Sequence, residues 1–158
     1  MKKKDKIGAA MGRIPSGLFI ITARFGDRED GVLASWVNQC SFEPPIISIV
    51  LSKVRPIRLL VEGSKAFVLN VLGKDSNGLL KRFSKAPAPD QNIFEGLNTR
   101  EGYQGITILD EAVSYLECNV VHGIPVGDHV TYFGEIVGGA VLEGGEPYFH
   151  TRSSGFSY

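Results

Sequence analysis

The sequence predicts a mainly β chain with short helices, closed or partly closed into an antiparallel barrel. Three observations carry this. Strand-like apolar segments recur about seven times with turn residues between them. Glycine is abundant, at 19 of 158 residues, and is joined by 8 prolines, which marks many turns. Strands do not alternate with long helical patterns, so a parallel βαβ sheet has no support.

Residues 1–11 read as an N-terminal extension or short helix, with a weak helical pattern over Asp5–Gly12 that Pro15 ends. Leu18–Ala23 (LFIITA) is a buried strand. Gly26-Asp27 and Asp30-Gly31 bracket a charged turn, which predicts a hairpin between Gly17–Arg24 and Gly31–Gln39. The stretch Gly31–Pro45 (GVLASWVNQCSFEPP) trades bulky side chains for Ala, Ser, Asn and Gln, so another molecule has room to approach its backbone. Pro44-Pro45 break pairing, and Ile46–Leu51 is the next strand. Arg55–Glu62 reads as a short helix with Pro56 in its first turn and Gly63 as its stop.

Ala66–Leu72 is a strand in which Asn70 is expected to be a satisfied buried amide. Asp75 or Ser76 caps a helix through Phe83, basic in its last turn, and a Pro-rich loop (SKAPAPDQN) follows. Ile93–Gln104 is mixed, a short helix and coil. Thr107–Leu109 and Ala112–Val121 are strands, and His122–His129 (HGIPVGDH) is a loop or bulge. Val130–Val141 is a long strand that Gly138-Gly139 allows to bend, and Pro147–His150 is a last short strand before a polar tail.

Length fits one domain over residues 1–158. Lys+Arg and Asp+Glu balance at 17 each, so no basic excess marks a nucleic-acid partner. The longest apolar run, Ile46–Leu51, is six residues against the roughly 20 a bilayer span needs. Nothing apolar follows the N-terminal lysines at once, so no signal peptide and no membrane partner are expected. A reducing cytoplasm is the expected location, with Cys40 and Cys118 as buried packing thiols. Three histidines, without H-x-x-x-H or C-x-x-C, give no metal site. Neither G-x-G-x-x-G after a strand, nor a P-loop, nor G-x-S-x-G occurs.

The segments ASWVNQ, SKVRP (52–56), AFVLNVL, AVSYLECNVV, Gly127-Asp128-His129 and HTRSSGFSY, in that order, resemble the flavin reductase-like family. The similarity is closest to the C-terminal flavin reductase-like domain of cyanobacterial flavodiiron proteins. It runs over Gly12–Tyr158 and implies an FMN-binding split β-barrel, antiparallel and Greek-key-like. It further implies FMN, with FAD as the alternative, and NADH or NADPH as reductant, with a nicotinamide hydride passing to the flavin. A homodimer and a redox protein partner are also implied. A diiron centre is not carried over, because this chain has too few histidines.

By the same resemblance Leu33, Ala34, Ser35, Trp36, Asn38, Gln39 and Cys40 form the flavin-contacting strand, with Ser35 and Asn38 as hydrogen-bond donors. Trp36 either walls the pocket or is a barrel core aromatic, and Asn38 and Gln39 are alternatively an outer polar face. Leu51, Ser52, Lys53 and Arg55 stand at the phosphate end, where Lys53 and Arg55 supply charge or else sit in a solvated loop. Val54 and Pro56 replace the small hydroxyl residues frequent there, which leaves backbone contacts. Arg82 and Phe83 face the phosphate or adenine side. His129, the catalytic candidate, orients the nicotinamide or lies on a surface loop. His122 is structural. His150 and Arg152 reach either the flavin or a dimer contact.

Three functions follow: an NAD(P)H:flavin oxidoreductase, a flavin electron-transfer module reduced by a protein partner, and a non-enzymatic split-barrel binding protein, cofactor-free or haem-binding.

Overall fold

The computed structural model describes residues 2–142 and 145–158. A helix α1 (Lys3–Gly12) leads into a hairpin, β1 (Phe19–Phe25) and β2 (Arg28–Ala34), then β3 (Val37–Ser41) and β4 (Ile46–Ser52). Helix α2 (Ile57–Ser64), β5 (Ala66–Val71) and helix α3 (Asn77–Phe83) follow. Two short strands, β6 (Thr99–Glu101) and β7 (Thr107–Leu109), precede the long hairpin β8 (Ser114–Val126) and β9 (His129–Val141).

Seven strands form one sheet in the order β2-β1-β5-β8-β9-β4-β3, antiparallel throughout, and β6 pairs with β7 alone. β2 and β3 are the two ends of that order, yet only Ser35 and Trp36 separate them in the chain. Three Cα steps reach at most about 11 Å, so the two ends must meet at this corner. The sheet therefore wraps into a barrel with a seam, and the Val50 N–H fastens the corner to β4 by donating to the Trp36 carbonyl at 3.2 Å.

Alternation decides what each face buries. Ile21, Ala23, Val32, Ile47, Ile49, Phe67 and Leu69 point into the largest core, closed by Ile57, Leu60 and Val61 of α2. Those three lie at i, i+3 and i+4, one face of a helix. On the other face, Leu18, Ile20 and Leu72 meet Leu79 and Phe83 of α3, together with Ile93 and Leu109. Asn70 is fully buried there and satisfied: Nδ2 donates to Ile20 O at 3.1 Å, and Oδ1 accepts from Leu109 N–H at 2.9 Å. An orphaned amide at that position costs about 1–3 kcal/mol, so it fixes how β7 lies on β1 and β5.

The sequence reading needs several corrections. Gly31–Gln39 is not one strand; it breaks at Ser35–Trp36, where the chain crosses from one end of the sheet to the other. His122–Val126 is not loop: β8 runs to Val126 and turns only at Gly127-Asp128. β5 pairs with β8 only as far as Asn119, so residues beyond have one open side, and Pro125 has no ladder bond to lose there. Gly63 does not stop α2. It lies inside, where a Cβ would stand 2.6 Å from the Phe25 ring, and Lys65 ends the helix in the left-handed region at φ 57°.

Ser76 is the first cap residue of α3, but its Oγ accepts from Gly73 N–H rather than from the helix. Residues 93–104 hold turns, β6 and the start of a short 3-10 helix, Tyr103–Gly105. Pro147–His150 contributes two isolated bridges, to Gly73 and Ser16, not a strand. Cys40, expected to pack, is exposed because β3 is an end strand of the sheet; Cys118 is buried. Burial, then the Glu117 charge, pushes the Cys118 thiol up to about 12.

Candidate functional site

The corner between β2 and β3 opens a cavity of about 560 Å³, within the range of small-molecule sites. Its floor is the end of β2: Leu33, then Ala34 and Ser35, which are buried and small. Val50, Leu51 and Ser52 form one wall, with Arg55 at the start of the turn into α2. Leu80, Lys81 and Ser84 of the α3 region form another, and Tyr148, His150, Arg152 and Tyr158 close the cavity from the C-terminal segment. Among the described residues no Asp or Glu lines it, whereas Arg55, Lys81 and Arg152 do. The described lining is an apolar slot with cations, suited to a flat apolar group that carries an anion.

Trp36 is the hub. Its ring lies 4.7 Å from the His129 ring and 5.6 Å from Tyr158, centroid to centroid, and the Arg152 guanidinium stands 5.3 Å over it. Both readings of Trp36 placed it on the barrel; it is half-buried and walls the cavity. His129 opens β9. Its Nδ1 is 2.6 Å from Asp128 Oδ1 and its Nε2 is 2.6 Å from Tyr158 Oη. An ionised carboxylate only accepts, so the Nδ1–H donates to Asp128; with that tautomer of the uncharged ring, Nε2 is the acceptor for the tyrosine hydroxyl. The His129 hydrogen bond holds the Asp128 carboxyl below its usual range, and burial pushes the Tyr158 hydroxyl up.

Of the residues singled out in the sequence, Leu33, Ala34, Ser35, Trp36, Leu51, Ser52, Arg55, His150 and Arg152 line the cavity. His129 stands just behind Trp36 and Tyr158. Six lie elsewhere. Asn38, Gln39 and Cys40 are exposed on β3, past the corner. Lys53 Nζ donates to Gly127 O at 2.7 Å, Arg82 holds the Ile93 and Glu95 carbonyls, and Phe83 is fully buried. In α3, Leu80 and Lys81 line the cavity with Ser84 just after it, while Arg82 and Phe83 do not.

Tyr148 gave no local signal, and Tyr158 lay in the HTRSSGFSY segment without being singled out. They arrive from more than a hundred residues beyond Trp36.

A second cavity, about 620 Å³, lies between α2 and the β8–β9 hairpin. It holds a carboxylate, Glu62, which accepts from Arg58 Nη1 at 2.7 Å and from the Tyr132 hydroxyl at 2.5 Å. Burial raises Glu62, but the Tyr132 and Arg58 hydrogen bonds outweigh it and leave the carboxyl below its usual value. Tyr132 is pushed up by burial and then by Glu62. Among the described residues no group of three His, Cys, Asp or Glu is placed to hold a metal, and no helix is long and apolar enough to cross a membrane.

The family model described as "Flavin reductase like domain" matches residues 11–157. Diflavin flavoprotein A 1 of Synechocystis sp. is 37% identical over 151 residues, which cover 94% of this chain and 26% of that protein. A Nostoc sp. relative from the same diflavin flavoprotein A series is 42% identical over 146 residues, covering 89% of this chain and 25% of its own length. The chain thus spans about a quarter of the curated relatives it matches. Among solved structures, the Streptomyces globisporus NADH:FAD oxidoreductase SgcE6 superimposes with a TM-score of 0.86 at 22% identity, over 96% of this chain and 92% of that one. Flavin reductase PheA2 does so at 0.80 and 20%, over 96% and 94%. At these identities the likeness establishes the fold, a mainly β split barrel.

Proposed function

The chain belongs to the flavin reductase-like domain family, and on that premise we propose that the Trp36 cavity holds FMN, with FAD as the alternative. We read the chain as an NAD(P)H-dependent flavin reductase. The observation that carries this is the lining: a small-residue floor, an aromatic wall and, among the described residues, three cations and no carboxylate. Those features fit a planar ring system that ends in a phosphate. Ala34 and Ser35 leave backbone accessible at the floor, and the Ser35 hydroxyl offers a donor and an acceptor.

The Ser52–Arg55 turn, with the Arg55 guanidinium, is assigned the phosphate end. Lys81 and Arg152 add charge at the rim. His129, oriented by Asp128, is assigned to position the nicotinamide carboxamide. When bound, the flavin supplies a two-electron acceptor for a nicotinamide hydride. A solved structure of SgcE6 with NAD and FAD fragments, TM-score 0.82, supports a nucleotide and a flavin sharing this fold.

A second reading has its own support. The relatives are named diflavin flavoproteins and are about four times as long, so the barrel is also compatible with electron transfer from a protein partner. A homodimer belongs to the same proposal. The open side of β8, with Val121, Ile124 and Val126 exposed, offers apolar surface for it.

Anaerobic titration of the flavin-loaded protein with NADH and then NADPH separates these readings. Bleaching of the flavin absorbance by either nucleotide is the expected result. Bleaching only by a reduced ferredoxin or rubredoxin favours the electron-transfer module, and failure to retain any flavin overturns both.

A further inference from the structure

The C-terminal segment is fastened to α1 and then released over the cavity. Arg152 N–H donates to Gly12 O at 2.9 Å, and Gly155 N–H to Gly8 O at 2.7 Å. The packing tolerates no side chain at these points: a Cβ on Gly12 would meet Arg152 O at 2.3 Å, and one on Gly155 would meet Met11 Cβ at 2.2 Å. Past this clamp the chain is held differently. Arg152 Nη1 donates to Ser157 O at 3.1 Å, and Tyr158 rests on Trp36 by its ring and on His129 by its hydroxyl. Tyr158 lines the cavity yet remains 74% exposed, so it covers the slot without being part of any core.

We propose that Tyr158 is a gate on the Trp36 cavity, covering Trp36 and occupying the His129 Nε2 acceptor until a nicotinamide displaces it. This rests on the flavin reductase reading above. A nicotinamide needs an aromatic slot beside the bound ring and a partner for its carboxamide. Tyr158 holds both. It places an aromatic ring against Trp36 and fills the one acceptor that His129, with Nδ1–H committed to Asp128, has to offer.

A gate held by one neutral hydrogen bond and one ring contact is cheap to open, and no backbone must unfold to release it. Apparent nucleotide affinity is then the intrinsic affinity reduced by the fraction of open gate. The incoming carboxamide N–H replaces the tyrosine O–H on Nε2, so His129 keeps its Asp128 partner throughout.

The test compares wild type, Y158F and Y158A in three measurements. The first is the Kd of FMN by flavin fluorescence. The second is the Kd of NAD+ and NADP+ for the flavin-loaded protein by calorimetry. The third is the emission of Trp36, the sole tryptophan, in flavin-free protein. Tyr158 is exposed and outside the core, so both variants are expected to fold.

A gate predicts that all three proteins still bind FMN, so that nucleotide binding is compared on flavin-loaded protein throughout. It also predicts nucleotide binding tighter by about tenfold in Y158A and about threefold in Y158F, with a red-shifted Trp36 emission in Y158A. Unchanged or weaker nucleotide binding in Y158A, with flavin bound, overturns the gate alone. Binding of neither nucleotide by any of the three also overturns it. Absence of flavin binding in all three overturns the flavin reading, and the gate with it.

Discussion

Two cavities of similar volume open on this barrel, and they are lined differently. In the one beside α2, cations and an acid share the lining: Arg58 and Tyr132 both donate to Glu62, with Lys53 and Lys65 beside them. In the one at the β2–β3 corner, Arg55, Lys81 and Arg152 have no acid among the described lining residues, and Ala34 and Ser35 keep bulk away. Volume therefore does not separate a site from a groove here. Cations without an acid in the described lining, next to small residues and the Trp36 wall, do.

Arg55→Ala attacks that contrast where it matters most. FMN affinity is expected to fall about 10- to 100-fold, as for loss of a charge-assisted hydrogen bond, while riboflavin, which lacks the phosphate, changes little. Parallel fluorescence titrations of the two flavins check this. An equal loss for both would remove the phosphate assignment.

In the other cavity, Tyr132→Phe deletes the hydroxyl on Glu62 and is expected to cost about 1 kcal/mol in urea unfolding, with FMN affinity unchanged. A matching loss of flavin binding would show that the two cavities are coupled.

The Glu62 carboxyl gives a smaller, pH-dependent difference. Its folded value lies below the ordinary 4.5, so the unfolded chain takes up the proton first on acidification. Its contribution is present above about pH 4.5 and is lost as pH falls through the lower folded value. Glu62→Gln is expected to flatten that part of the stability profile, measured by urea unfolding from pH 6 downwards to about 3. A profile identical to wild type would contradict the sign.

Cys40→Ser borders neither cavity and is expected to shift stability by less than about 0.5 kcal/mol. Thiol labelling of the native protein should modify Cys40 and spare buried Cys118. Two labelled thiols would show that β5 and β8 open readily at Cys118.

The strand content and most strand positions were legible, because alternation along β1, β4 and β5 is a local pattern. Asn70 was read as a buried amide for the same reason, a lone polar side chain in an apolar run. The break at Ser35–Trp36 was not legible: no Gly or Pro marks it, and its cause is the closure of the sheet. Gly123 and Pro125 suggested a loop because breakers are judged without knowing that one side of the strand is free. Gly63 looked like a helix stop because the ring it accommodates, Phe25, belongs to another element. At the site, the floor and the Ser52–Arg55 turn carried family-like local motifs. Lys81 and Tyr148 did not, and Tyr158, although in the family-like tail, was not singled out, since only the fold brings α3 and the C-terminal segment to the corner.

The measurement that bears most directly on the Trp36 cavity is titration of flavin-free protein with FMN, followed by tryptophan emission. Trp36 is the only source of that emission. A flavin held in the corner cavity quenches it to a plateau at one FMN per chain, and Arg55→Ala shifts the curve to higher FMN. Binding of FMN that leaves the Trp36 emission unchanged would place the flavin elsewhere and contradict the assignment.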